Sequence, residues 1–225
     1  PVEYRIPRLN QVQINHKIGL TFSSVLRAAL RQDPDVVMVG EIRDQETAEI
    51  GMRAAMTGHL VFATLHTNDA PSTASRILDM GVDGFLVATA LRAVVAQRLI
   101  RKLCKSCAEP YEPRQVEKEW IRAMVGERAP QLQFKLGIGC PRCNNTGYRG
   151  RIGVYEFLEV SGEMASALRD NNAATYAKAA YSAPGYQPLS YRALEYAARG
   201  ITSIEEVVRV AGELEDARAD IHVQD

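Results

Sequence analysis

The sequence lacks an excess of charge of either sign, since 27 lysines and arginines balance 27 aspartates and glutamates. This balance disfavours a protein that binds nucleic acid mainly through its overall electrostatic field. Long apolar runs are also missing, because none approaches the roughly 18 residues that a membrane-spanning helix needs. Hydrophobic residues make up 46% of the chain and charged residues 24%, which excludes wholesale disorder and indicates a globular fold.

Cysteine is scarce, with four residues among 225. A chain of this length can bury roughly 70% of its unfolded surface, so it needs no disulfides to hold a core. The four cysteines form two C-x-x-C pairs, Cys104 with Cys107 and Cys140 with Cys143. Identical spacing disfavours four incidental cysteines, and two such knuckles complete a tetrahedral zinc shell. We therefore expect a closed, structural zinc site in a reducing compartment.

The first hundred residues alternate helix and strand signals. Val36–Val39 and Leu60–Leu65 are short apolar runs that predict strands buried on both faces. Helices are predicted after Thr21, from Asp44 to about Met56, from Asp69 to Gly81 and from about Phe85 to Arg101. This βαβα order predicts an α/β fold with a parallel sheet and covering helices.

After residue 102 the alternation of helix and strand signals stops. The segment 103–149 holds the cysteines, several prolines and one helical stretch around Val116 to Val125. A strand is predicted from Arg151 to Val160, followed by helices, one of them capped by Ser203. We expect three parts: a core over 1–102, a cysteine subdomain over 103–149, and a return strand with C-terminal helices over 150–225.

Two polar residues follow the predicted strands. Glu41 comes after the first strand, and ligands bind at the carboxyl ends of strands in open α/β sheets. A carboxylate there can polarise water or reach magnesium through water, although a surface glutamate at a turn is the alternative. His66 ends the next strand, so the two side chains are predicted to lie side by side. A phosphate contact and a packing or capping role are both open for His66.

Several long motifs resemble the ATPases of type II secretion and type IV pilus assembly, in the order of that family. Asp33–Asp44 is similar to the family's Walker-B box and Gly58–Thr67 to its His box. Pro1–Tyr4 resembles the tail of its Asp box. Gly147–Glu156 resembles the strand after its tetracysteine region, and Gly200–Val207 matches a common family ending.

The resemblance implies the C-terminal part of a RecA-like P-loop ATPase with a tetracysteine zinc subdomain and C-terminal helices. It implies a hexameric, cytoplasmic motor, peripheral at the inner membrane, that uses ATP with Mg²⁺. Its implied partners are an inner-membrane platform and cytoplasmic assembly proteins. One departure is large, because the chain has no G-x-x-x-x-G-K-[ST] loop to cradle phosphates. We therefore expect a piece of a longer ATPase that carries half of a nucleotide site and is inactive alone.

The resemblance also assigns site residues. It implies catalytic roles for Glu41 and His66, and nucleotide or intersubunit contacts for four others: Glu3, Arg27, Arg31 and Arg43. Arginine forks suit phosphate oxygens and carboxylates of a neighbouring subunit. Arg27 and Arg31 lie four residues apart, so one helix face is predicted to carry both, and a merely solvated face is the alternative.

Two other functions stay open from the sequence. A zinc-ribbon module for nucleic acid is disfavoured, because Cys104 to Cys143 holds seven basic, five acidic and only three aromatic residues. We expect no direct nucleic-acid binding. An inactive ATPase-like scaffold is the third reading, which a phosphate loop upstream would disfavour. The family's assembly-type members carry the tetracysteine site and its retraction-type members generally lack it, which favours export or pilus extension.

Overall fold

The computed structural model of the protein describes residues 2–219. Pro1 of the Asp-box-like segment and residues 220–225 of the predicted C-terminal part lie outside the described residues. Within that range the chain forms two compact units, the first from 2–94 with 158–184, the second from 95–157 with 185–219. None of the helices in residues 2–219 combines the length and apolar character needed to cross a membrane.

The elements alternate as an α/β chain. The strands are β1 (Val36–Val39), β2 (Leu60–Ala63), β3 (Ala93–Leu103), β4 (Ala108–Tyr111), β5 (Phe134–Gly137) and β6 (Tyr148–Glu159). The α-helices are α1 (Phe22–Ala29), α2 (Gln45–Met56), α3 (Ala70–Asp79), α4 (Gly84–Ala90), α5 (Gln115–Val125), α6 (Gly162–Arg169), α7 (Ala173–Tyr181), α8 (Leu189–Ala198) and α9 (Ile204–Ala219). β1 pairs with β2 in parallel, β4 with β5 antiparallel, and β3 with β6.

The helix starts follow side-chain caps that the sequence predicts. The carboxylate of Asp44 accepts the Thr47 N–H at 2.8 Å at the start of α2. Asp69 likewise accepts the Ser72 N–H at 2.9 Å at the start of α3. Each cap satisfies a backbone donor that the first helical turn leaves unpaired. These two predicted helix starts are therefore confirmed.

The prediction that β1 and β2 are buried on both faces is wrong. Val39 is buried, but the side chain of Met38 is 71% exposed and that of Phe62 on β2 is 53% exposed. Side chains alternate between the two faces of a strand, so one face of this two-stranded sheet packs inward and the other remains uncovered in residues 2–219. β2 also ends at Ala63, two residues earlier than predicted.

The long helix predicted from Phe85 to Arg101 is also wrong. α4 ends at Ala90, and β3 follows from Ala93. From Val94 to Ile100 the less exposed positions of β3 recur every second residue, with Ala96 and Ile100 buried. This period of two is that of a strand, and pairing with β6 supplies the hydrogen-bond partners.

The first unit packs its helices closely. Gly84 at the start of α4 faces the backbone of α6, where an added Cβ would collide with the carbonyl oxygen of Leu168. Only glycine lets the two backbones approach this far. The fully buried side chain of Val87 on α4 and that of Leu168 fill the core of this unit.

The second unit is built around the cysteine segment and the last two helices. α5 confirms the helix predicted around Val116 to Val125. Ser203 caps α9 by accepting the Glu206 N–H at 3.2 Å, as predicted. α8 packs against α9, and both helices contact β5.

Candidate functional site

The turn after β1 presents Glu41 at the carboxyl end of the parallel strand pair. The Ile42 N–H donates to the Thr64 carbonyl at 2.9 Å, which extends the pairing one step beyond the strands. The Thr64 hydroxyl donates to the Gly40 carbonyl at 2.5 Å and fixes the same turn. The sequence analysis missed Thr64, although its position at the end of the neighbouring strand was a usable signal.

Glu41 lies between a histidine and an arginine. Its Oε1 is 3.0 Å from Nε2 of His66, and its Oε2 is 2.6 Å from Nη2 of Arg43. The Glu41 side chain is only 9% exposed, whereas those of Arg43 and His66 are 71% and 88% exposed. The predicted juxtaposition of Glu41 and His66 is therefore confirmed, with a buried carboxylate and two partners that face solvent.

The charge state of Glu41 follows from these contacts. The hydrogen bond from Arg43 is the largest influence and lowers the pKa of Glu41 below its ordinary value of 4.5. Burial acts in the opposite direction, and the charges of Arg43 and His66 lower the pKa further. Glu41 is consequently a carboxylate at neutral pH, which can accept a hydrogen bond from water or approach a hydrated cation.

The other predicted site residues lie apart from this group. Arg27 donates to Glu46 on α2 at 2.8 Å, and both side chains are exposed. Arg31 lies in the 3-10 turn Leu30–Gln32, so the α-helical face predicted to carry both arginines ends before it. Glu3 is exposed in the N-terminal segment. Within residues 2–219 no hydrogen bond or ion pair joins Glu3, Arg27 or Arg31 to Glu41.

The four cysteines converge on one point. Their sulfur atoms all lie within 4.8 Å of one another, and three of the residues are buried while Cys140 is half-buried. The Sγ separations are 3.9 Å for Cys104 and Cys140, 3.8 Å for Cys107 and Cys143, and 3.8 Å for Cys140 and Cys143. A disulfide needs about 2.05 Å, so these are free thiols.

The arrangement fits a tetrahedral metal ion. Zinc–sulfur bonds of about 2.3 Å in a tetrahedron place the sulfurs about 3.8 Å apart, which matches the three separations. Burial raises the pKa of Cys107 to about 12. At Cys143 burial also opposes ionisation, but backbone N–H groups of Cys140 and Gly147 outweigh it and lower the pKa to about 6. Four thiolates this close need a cation to balance them, so the cluster could hold a metal.

The two C-x-x-C knuckles have the same backbone hydrogen bond between their cysteines. The Cys107 N–H donates to the Cys104 carbonyl at 3.2 Å, and the Cys143 N–H donates to the Cys140 carbonyl at 3.1 Å. Close to the two cysteine pairs, the backbone of Gly147, which has a φ of 76°, lies against the backbone of Gly137. A Cβ on Gly147 would collide with the Gly137 carbonyl oxygen, so this crossing requires glycine.

Comparison with known proteins gives consistent results. Residues 1–209 match the family model described as Type II/IV secretion system protein. The chain is 46% identical over 210 residues to the type IV pilus assembly ATPase PilB of Thermus thermophilus. It is 43% identical over 213 residues to the type II secretion system ATPase E of Vibrio cholerae. These matches cover 92% and 95% of this chain but only 23% and 42% of the two relatives.

Solved structures agree on the fold. The pilus retraction motor PilT with bound ADP matches with a TM-score of 0.56 and 29% identity, over 84% of this chain and 43% of that one. The ATPase DotB of Legionella pneumophila matches with a TM-score of 0.61 over 94% of this chain and 50% of that one. At 22% identity, the DotB match shows the α/β fold alone.

Proposed function

This chain belongs to the type II/IV secretion system protein family, and we propose that it forms the C-terminal part of a hexameric motor ATPase. The motor would power type II protein secretion or type IV pilus assembly. The observation that carries the proposal is the carboxylate of Glu41, held between Arg43 and His66 at the carboxyl end of a parallel strand pair. Family membership favours this function over a nucleic-acid module.

The proposed roles follow from the geometry. The ionised Glu41 orients or polarises the attacking water, or holds hydrated Mg²⁺, as a carboxylate does at this position in P-loop ATPases. His66 is exposed on the solvent side of Glu41 and contacts the terminal phosphate. Arg43, whose guanidinium also faces solvent, binds phosphate oxygens or a neighbouring subunit's carboxylate. For Glu3, Arg27 and Arg31 the resemblance to the family alone supports the proposed nucleotide or intersubunit contacts.

We propose zinc as the metal of the cysteine cluster. Four thiolates in a tetrahedral shell are the common ligand set of structural zinc, and all four positions are filled by protein. The bound ion would hold the two knuckles together and leave no position for substrate. The presence of the cluster supports an assembly motor for secretion or pilus extension over a retraction motor.

Location and partners belong to the same proposal. The motor would work in the cytoplasm, peripheral to the inner membrane, and bind a membrane platform and cytoplasmic assembly proteins. The uncovered face of β1 and β2 supports packing against further protein, because Met38 and Phe62 expose apolar surface there.

One experiment separates a motor from an inactive scaffold. ATP turnover is measured for the full-length protein and for the 225-residue chain alone. We expect turnover only in the full-length protein, because the chain has Glu41 and His66 but no phosphate loop to bind the nucleotide. A full-length protein without turnover would support the scaffold. ATP turnover by the 225-residue chain alone that Glu41→Gln abolishes would refute the proposal that this chain carries only half of a nucleotide site.

A further inference from the structure

A fully buried carboxylate joins the end of β3 to the first turn of α9. Oε1 of Glu206 accepts the Arg101 backbone N–H at 3.0 Å and Nη2 of Arg209 at 2.8 Å. Oε2 accepts Nε and Nη2 of Arg101 at 2.9 and 2.6 Å, and Nε of Arg209 at 3.1 Å. Five donors thus satisfy one carboxylate that is 0% exposed. We call Glu206, Arg101 and Arg209 the Glu206 clamp.

Two further hydrogen bonds fasten the same two segments. The Leu103 N–H donates to the Ile201 carbonyl at 2.9 Å. The Thr202 hydroxyl donates to the Arg101 carbonyl at 2.8 Å. Thr202 and Ser203 are both completely buried, so these bonds form in a region shielded from water.

Tyr148 connects the clamp to the cysteine cluster. Its hydroxyl lies 2.5 Å from the hydroxyl of Ser203, the cap of α9, and the guanidinium of Arg101 stacks 4.1 Å from the centre of its ring. Thr146, two residues before it, donates its hydroxyl to the Cys143 carbonyl at 2.7 Å and accepts the Tyr148 N–H at 3.3 Å. The Gly147 carbonyl accepts the Cys104 N–H at 2.9 Å. The segment 146–148 therefore contacts both knuckles and the cap of α9.

We propose that metal binding at the cysteine cluster and docking of the first turn of α9 are thermodynamically coupled through Gly147, Tyr148 and the Glu206 clamp. The metal fixes Gly147 through Cys104 and Thr146 through Cys143, which places Tyr148 against Ser203 and Arg101. Coupling is reciprocal, so an undocked α9 must weaken metal binding by the same factor. Glu206 is thus a positioning residue for the metal site. The inference rests on the proposed zinc site.

The first test measures zinc affinity of the full-length protein by competition with a chromophoric chelator. Removing groups that orient metal ligands from outside the ligand shell costs 10–100-fold in affinity, so Glu206→Gln should weaken zinc binding about tenfold. The matched control is Glu195→Gln on α8, whose carboxylate pairs with Arg192 on an exposed surface. It should leave the affinity unchanged. Tyr148→Phe removes only the contact with Ser203 and should weaken binding about threefold, which keeps the test decisive if Glu206→Gln misfolds.

The second test follows backbone hydrogen exchange in zinc-loaded and zinc-stripped protein. Removing zinc should speed exchange in the first turn of α9 but not in α6 and α7, which belong to the other unit. If Glu206 only stabilised α9 and were not coupled to the metal site, zinc removal would leave hydrogen exchange in the first turn of α9 unchanged. Wild-type protein that binds no zinc would refute the zinc site itself. If the wild type binds zinc, either of two results would refute the coupling. One is a zinc affinity within twofold of wild type in both Glu206→Gln and Tyr148→Phe. The other is hydrogen exchange in the first turn of α9 that does not change when zinc is removed.

Discussion

Oε1 of Glu41 lies 3.0 Å from Nε2 of His66, at the point where the parallel strands β1 and β2 both end. The contact depends on the turn that Thr64 fixes, because its hydroxyl holds the carbonyl of Gly40. A buried carboxylate thereby meets an imidazole that solvent can reach. The proposed roles, a phosphate contact for His66 and a water or Mg²⁺ contact for Glu41, both require this pairing of the two side chains.

The cysteine cluster should hold one zinc ion per chain. Cys140→Ser replaces a thiolate by a hydroxyl that stays protonated at neutral pH, so the variant should lose the metal. Ser106→Ala, in the neighbouring knuckle, should keep it. Metal analysis of protein purified without chelators checks both. Wild-type protein without zinc, or a Cys140→Ser variant with full occupancy, contradicts the assignment.

Loss of the metal should also unfold more than the cysteine segment. We expect the damage to reach beyond 103–149, because the Gly147 carbonyl accepts the Cys104 N–H and Tyr148 contacts Ser203. The parallel pair β1 and β2 should remain intact, since it lies in the other unit. Limited proteolysis of Cys140→Ser should therefore cut near the start of α9 and spare 36–63.

The Glu206 clamp predicts a pH dependence of stability. Burial opposes ionisation, but the hydrogen bonds from Arg209 and Arg101 outweigh it and lower the pKa of Glu206 from 4.5 to about 2. A depressed pKa in the folded state contributes stability above pH 4.5 that is lost as the pH falls towards 2. Glu206→Gln should have a lower free energy of unfolding than wild type, and this difference should be about 1 kcal/mol smaller at pH 3.5 than at pH 7. Urea unfolding of both proteins at the two pH values measures this difference. An equal difference at both pH values would refute the lowered pKa of Glu206.

Gly84 should not tolerate a methyl group. An alanine usually stabilises a helix relative to glycine by about 1 kcal/mol, but here its Cβ would collide with the Leu168 carbonyl oxygen. We expect Gly84→Ala to destabilise the protein by about 1–3 kcal/mol. The control is Gly162→Ala at the start of α6, where no atom lies within 4 Å of the added Cβ. Thermal unfolding that ranks the two variants equally would contradict the close packing of α4 and α6.

Local signals in the sequence predicted local structure well. The caps Asp44 and Asp69 mark helix starts because a short polar side chain satisfies the first unpaired N–H groups. The cysteine spacing predicted the cluster because each knuckle is a single turn. The Glu41–His66 contact was predictable because parallel strands end at the same edge.

Long-range relationships were not predictable in this way. The alternation in β3 was read as a helix because its apolar residues also recur at helical spacing, and only the pairing with β6 decides between the two. The burial of β1 depends on whether another element packs over Met38, which the residues of the strand do not encode. The bond between Arg101 and Glu206 joins residues 105 positions apart, so neither side chain signals the other.

The most direct test of the proposed motor is ATP turnover of the full-length protein carrying Glu41→Gln. The amide keeps the shape of the side chain but cannot accept a proton or orient water as a carboxylate does. We expect nucleotide binding to persist and turnover to fall about 100-fold or more. The control Glu49→Gln on α2, whose carboxylate contacts Gln45 and Arg53 and not Glu41, should keep wild-type turnover. Turnover of Glu41→Gln within twofold of wild type would contradict the catalytic role of this carboxylate.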